Sequence, residues 1–171
     1  MVDKKSLFIY THIQVEGSGG KWSTLNMFYG EHRHTIDRKG RIILPAHFRE
    51  VSKKNGIEKF FVTRGLDKCI FMFSEEEWRN QEQKFKNMSF TKQESRSFNR
   101  MFFSGAVQTI PDRQGRFLIP PYLKDFASIQ REVVIIGVSN RLEIWNDSTW
   151  REFYANSSNS FEQTAENILS I

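Results

Sequence analysis

Two copies of one short pattern hold the residues best suited to chemistry. Asp37-Arg38-Lys39-Gly40-Arg41 and Asp112-Arg113-Gln114-Gly115-Arg116 each set an acid four residues ahead of an arginine, with a basic side chain and a glycine between. A guanidinium can bridge O6 and N7 of a guanine, and a lysine can neutralise a phosphate. On that reading Arg38, Lys39, Arg41, Arg113 and Arg116 are candidate DNA contacts, with Arg33 just ahead of the first copy. The same spacing permits a purely local role, in which Asp37 and Arg41 close their own turn by a charge-assisted hydrogen bond. Surface turns are commonly charged, so the residue types leave both roles open. The roles are compatible: Asp37 and Asp112 hold the turn while their basic neighbours face outward. A carboxylate near phosphates does not favour contact directly.

Other chemistry is thinly represented. His32 and His34 share one face of a strand and could ligate a metal. No matching cysteine or acidic cluster accompanies them, and Cys69 is distant in sequence. They read as neutral strand histidines beside the basic face, and no metal or cofactor is expected. The chain lacks a phosphate-binding glycine loop, a nucleophile elbow and a zinc-protease motif, so it reads as a non-enzyme. Cys69 is the only cysteine. It can form no intrachain disulfide, which fits a reducing compartment. No apolar run approaches the roughly 20 residues of a membrane span, so no membrane partner is expected.

The elements that must position these residues come as a repeat. Gly30, Asp37, Gly40, Arg41 and Pro45 match Gly105, Asp112, Gly115, Arg116 and Pro120, all at an offset of 75. Phe48 and Leu123 then match as apolar positions. After a three-residue shift Gly65, Ile70, Phe73 and Trp78 match Gly137, Leu142, Trp145 and Trp150. In each copy an alternating strand approaches the Asp. The Asp opens a type I turn, and Gly40 or Gly115 takes the left-handed position of a tight hairpin. A short apolar strand follows, at 42–44 or 117–119. Pro45 or Pro120 opens a helix in its first turn. Phe48 and Val51 lie on one helix face. A second strand pair follows, at 60–63 with 69–73, and at 133–136 with 142–145. Each unit is too small to bury much surface alone. Two joined units can interleave hairpins around one small barrel-like core.

Helices bridge the repeats. Ser74 with Glu77 is a capping box, and Thr91 with Glu94 repeats it before a second helix ending near Phe103. Trp78, Phe85 and Met88 are candidates for the first buried face, and Phe98, Met101 and Phe102 for the second. Asn146 can cap a third helix that includes Trp150 and Phe153. The tail from Asn156 is rich in Ser and Asn before a weakly amphipathic end. The organisation expected is therefore a flexible leader at 1–26, a first repeat at 27–78, bridging helices at 79–104, a second repeat at 105–150, and a C-terminal helix and tail at 151–171. The leader carries an apolar patch at 7–10 and a Gly-Ser run at 17–20 that reads as linker. The chain is 39% hydrophobic with 16 Phe, which suits a packed domain rather than a disordered one. Its net charge of +5 makes a polyanionic partner more plausible without specifying one. The leader contributes only +1, so the basic character belongs to the body. The first repeat is the more basic, with five cations against two acids over 30–49, compared with three against one over 105–124.

Taken together and in order, D-R-K-G-R-I-I-L-P, T-R-G-L-D-K-C-I, F-F-S-G-A, D-R-Q-G-R-F-L-I-P and L-E-I-W with a Trp five residues on resemble the MraZ family. The resemblance covers about residues 27–150, and Met27, Phe28 and Gly30 match the family's start. The 26-residue leader departs from the pattern. The resemblance implies a mixed α+β fold, an AbrB-like swapped-hairpin β-barrel with flanking helices built from both repeats. It also implies a homo-oligomer, in ring form. The function implied is a transcriptional regulator that binds double-stranded DNA at short repeated sites upstream of the bacterial division and cell-wall genes. The place implied is the cytoplasm, on the nucleoid. The alternative is a ring-shaped protein-interaction scaffold whose basic turns are only solvated surface. RNA binding ranks lower, because the turns lack interleaved exposed aromatics.

Overall fold

Successive residues of a strand face opposite ways, and the central strands here are apolar on both sides. In the computed structural model, which describes residues 27–169, that pattern sets the layers. The order is β1 (Phe28–Thr35), β2 (Arg41–Ile43), α1 (Ala46–Lys54), β3 (Phe60–Arg64), β4 (Ile70–Ser74), α2 (Glu75–Lys86) and α3 (Gln93–Ser104). The second half runs β5 (Val107–Thr109), β6 (Arg116–Leu118), α4 (Pro121–Phe126), β7 (Glu132–Ser139), β8 (Arg141–Asn146), α5 (Asp147–Ser158) and α6 (Phe161–Leu169). The fold is mixed α+β, and both halves run strand, strand, helix, strand, strand. The leader expected at 1–26 lies outside the described residues.

Six strands form one antiparallel sheet in the order β1-β7-β8-β4-β3-β5, and β2 pairs with β6 as a separate ribbon. The first strand of each repeat pairs with the other repeat. Gly30 in β1 lies opposite Gly137 in β7, and Thr109 in β5 lies opposite Phe60 in β3. The ribbon also joins the repeats, with Ile42 opposite Phe117. The expected Asp turns form, but the strands flanking them do not ladder with one another, whereas β3 with β4 and β7 with β8 do. β1 is captured by β7 as far as Thr35, and Ile36 then donates to the Arg131 carbonyl at 2.8 Å.

Phe60, Val62, Ile70, Met72, Val133, Ile135, Leu142 and Ile144 face the main core. Ile42, Leu44, Phe48, Phe117, Ile119 and Leu123, from the ribbon and from α1 and α4, close it. Residues of opposite parity face two smaller clusters. Phe73 meets Trp78 and Phe102 of α2 and α3, and Val134, Ile136 and Trp145 meet Trp150 of α5. Truncating a fully buried aromatic such as Phe48 costs roughly 3–5 kcal/mol. The ribbon and its turns are therefore anchored from beneath.

Several local expectations need correction. Pro45 and Pro120 occupy the cap position before the helix, not its first turn, with ψ of 144° and 143°. Pro121 follows Pro120 and takes the first helical position, and a residue before proline is driven to extended backbone. Thr91 does not cap α3. Its hydroxyl pairs with that of Ser89, Lys92 stands at the cap without a side-chain bond, and the helix starts at Gln93. Met88 and Met101 are exposed, not buried. Met88 lies beyond the last residue of α2, and the inward face of α3 follows Ser95, Phe98 and Phe102, which leaves Met101 on the flank. Residues 156–158, read as the start of a Ser- and Asn-rich tail, continue α5, and the weakly amphipathic end forms α6.

Candidate nucleic-acid interface

Each acidic turn is a closed hydrogen-bonded unit. Asp37 Oδ1 accepts the backbone N–H groups of Lys39 at 2.8 Å and Arg41 at 2.9 Å, and Oδ2 accepts Arg41 Nε at 2.8 Å. Arg41 Nη2 lies 2.8 Å from the same oxygen. Asp112 repeats this with the N–H groups of Gln114 and Arg116, both at 2.9 Å, and with Arg116 Nε at 2.8 Å. The backbone closes too: Gly40 N–H donates to the Asp37 carbonyl at 2.9 Å, and Asp37 N–H to the Arg41 carbonyl at 2.8 Å. Gly40 and Gly115 sit at φ of 79° and 78°, the left-handed region where a Cβ is disfavoured. The backbone N–H of Arg41 is the main force holding the Asp37 carboxyl below its ordinary range, and Arg116 does the same for Asp112.

The ribbon fixes how the turns are presented. In β2–β6 Arg41 lies opposite Leu118 and Ile43 opposite Arg116. Directly opposed residues share a face, so these four point one way while Ile42 and Phe117 are buried. The outer face thus carries an arginine at each diagonal corner, with the exposed Ile43 and Leu118 between. Two residue steps span on the order of 7 Å, which keeps the two turns close, one at each end. Arg38, Lys39 and Arg113 are exposed at the tips. Arg41 and Arg116 are about one-third exposed, at 34% and 33%, with the guanidinium leaning on the aspartate. The structure therefore places Arg41 and Arg116 on one ribbon and Arg38, Lys39 and Arg113 in the turns at its ends.

Arg33 is placed differently. Its guanidinium pairs with Glu31 at 2.8 Å and with Asp147, in the first turn of α5, at 3.2 Å. It ties β1 to α5 rather than joining a turn tip. His32 sits edge-on to Phe48, with ring centroids 4.9 Å apart. Burial, and then the neighbouring His32, hold His34 below the ordinary histidine value, which favours its neutral form. Among the described residues no group of three or more His, Cys, Asp or Glu side chains is placed to hold a metal. No helix among them is long and apolar enough to cross a membrane.

Arg49 and Lys124 entered the sequence reading only as charge. The structure sets Arg49 of α1 against the second turn and Lys124 of α4 beside the first. They share the offset of 75, so extending the repeat by four residues past Pro45 would have found them.

The family model described as "MraZ protein, putative antitoxin-like" matches at 27–101 and again at 102–170. The two matches fall on the two copies of the turn, the ribbon strand and the following helix. They span most of the sequence, and the family is of regulator type. The chain belongs to the MraZ family.

Proposed function

We propose that this protein is a sequence-specific DNA-binding transcriptional regulator that uses its two Asp-x-x-x-Arg turns on double-stranded DNA with short repeated sites. The observation that carries the reading is the pairing of two turns with the same internal hydrogen bonds at the ends of one ribbon, with Arg38, Lys39 and Arg113 exposed at the tips. The first turn sets three cations against one acid and the second two against one, so the first contributes more to phosphate contact. Between them Ile43 and Leu118 offer the aliphatic surface that a thymine methyl takes in the major groove. The exchange of first strands between the repeats fits a swapped-hairpin barrel. Several chains closed into a ring would present many such ribbons, and modest contacts to neighbouring repeats would gain strength from effective concentration. The site of action in this reading is the nucleoid, in the cytoplasm.

The test is binding to duplex DNA from upstream of the protein's own gene, against scrambled duplex, at two salt concentrations. Arg41→Ala should cost roughly 1–3 kcal/mol per engaged site if that side chain reads a base edge. Lys39→Ala should weaken binding to every sequence and flatten the salt slope by about one unit. If both variants bind like the parent, the turns are not the contact points and the scaffold alternative stands.

A further inference from the structure

The backbone that leads into each helix is pinned to the turn of the other repeat. Leu44 N–H donates to the Gly115 carbonyl at 2.8 Å, and Ile119 N–H to the Gly40 carbonyl at 3.0 Å. Four residues past each proline stands a basic side chain that lies against the other repeat's turn, hydrogen-bonded in the case of Arg49 and beside the glycine in the case of Lys124. Arg49 Nη1 donates to the Gln114 carbonyl at 3.1 Å. Its stem fills the space that a side chain on Gly115 would need, since a Cβ there would clash with Arg49 Cδ. On the other side a Cβ on Gly40 would lie 3.6 Å from Lys124 Nζ and 3.5 Å from Leu118 Cδ1. Both glycines accept the left-handed backbone, and Gly115 also leaves room for the Arg49 stem, whereas a Cβ on Gly40 would meet Lys124 only at ordinary contact distance.

We propose that Arg49 and Lys124 are positioning residues for DNA contact, each propping the turn of the other repeat from the helix of its own. The inference rests on the turns being the DNA contact points. It makes the two repeats one reading unit: the first repeat's helix governs how Arg113 and Arg116 are offered, and the second repeat's helix governs Arg38, Lys39 and Arg41. Arg49 has the stronger hold, because it reaches the opposing turn's backbone with a charged donor while Lys124 leans beside its glycine.

The experiment uses the full chain with Arg49→Met and Lys124→Met, which keep an apolar stem and remove the charge, and Arg49→Lys, which keeps the charge. Amide hydrogen exchange reads each turn directly. Arg49→Met should speed exchange at Asp112 and Gly115 about tenfold, the scale of one lost charged hydrogen bond, and leave Asp37 and Gly40 unchanged. Lys124→Met should do the reverse with a smaller change. Binding to the upstream duplex then separates a positioning role from a merely structural one. Arg49→Met should weaken affinity about tenfold. Combined with Arg113→Ala it should lose less than the product of the two effects, and combined with Lys39→Ala the full product. Arg49→Lys should recover part of the loss. Equal acceleration in both turns would overturn the proposal, as would unchanged turns with a full product against every partner, which would make Arg49 a direct phosphate contact. Should the parent chain bind no DNA, the proposed function falls, while the exchange comparison still decides whether Arg49 holds the opposing turn.

Discussion

Asp37 and Asp112 each commit both carboxylate oxygens to their own turn, so their charge works on the fold before it works on a partner. Both carboxyls are held below the ordinary aspartate value of 3.8. A group depressed in the folded state adds stability that is complete above its unfolded value and is lost as pH falls through the folded one. Asp37→Asn with Asp112→Asn keeps an oxygen for the backbone N–H groups and removes the charge. Thermal melts should therefore show a lower Tm than the parent at neutral pH, and the gap should close once the pH is well below the ordinary aspartate value. A gap of equal size at both values would mean that the charge is not what holds the turn. Cys69 gives a second expectation. Burial, then the charges of Glu143 and Asp67, push its thiol well above the usual range, and its Sγ lies 3.1 Å from the Leu66 carbonyl. A thiol reagent at about pH 8 should leave the native chain unlabelled and label it fully in denaturant, because the thiolate is the nucleophile. Rapid native labelling would show that the turn between β3 and β4 opens. The aspartate turns were legible in sequence because donor and acceptor lie four residues apart. The Arg33 pairing with Asp147 was not, since it spans 114 residues and exists only because β1 joins β7.

Helix starts show the same divide between local and non-local causes. Ser74 Oγ accepts the Glu77 N–H at 3.2 Å, so half of the expected box forms. The Glu77 carboxylate turns instead to Gln81 and to Asn140 at the tip between β7 and β8. Asn146 does more than its sequence position suggests. Oδ1 accepts the Ser148 and Thr149 N–H groups at 2.9 and 3.2 Å, while Nδ2 donates to the Ser128 carbonyl after α4. Thr91 carries the same signature as Ser74 and caps nothing. Arg96 reaches back to the carbonyls of Phe90 and Thr91 and holds that loop in another path. Urea unfolding should rank the three positions. Asn146→Ala should cost about 1–2 kcal/mol, Ser74→Ala about 1 kcal/mol, and Thr91→Ala within about 0.5 kcal/mol of nothing. A cost at Thr91 equal to that at Ser74 would contradict the observed start of α3. Strand positions were legible to within a few residues from apolar runs between turn residues. The hairpin partners β3 with β4 and β7 with β8 were legible as well, but the pairings across the repeats were not: the apolar strands face a core on both sides, and such runs specify burial without specifying a neighbour.

At the scale of the whole molecule, the repeat told that there are two units but not how they share strands. An offset of 75 is satisfied equally by two self-contained units and by two units that exchange their first strands. Only the pairing of β1 with β7, β5 with β3 and β2 with β6 decides it. All three pairings cross between the halves, and Ile42, Leu44 and Phe48 of the first half share one core with Phe117, Ile119 and Leu123 of the second. Neither half therefore owns a complete sheet or a complete core. The loop between α2 and α3 is the natural place to cut, because no strand pairing depends on it. Residues 27–89 and 90–171, made separately, should each lack the cooperative melting and near-UV circular dichroism of the intact chain. Mixed in equal amounts, they should recover both. The only folded state open to a lone half is a dimer in which a second copy supplies the missing strand partners, since the two repeats match in sequence along those elements. Light scattering on each fragment separates these cases. A fragment 27–89 that folds cooperatively as a monomer would show that the first repeat does not need the second, and would undo the argument that the two turns are held as one unit.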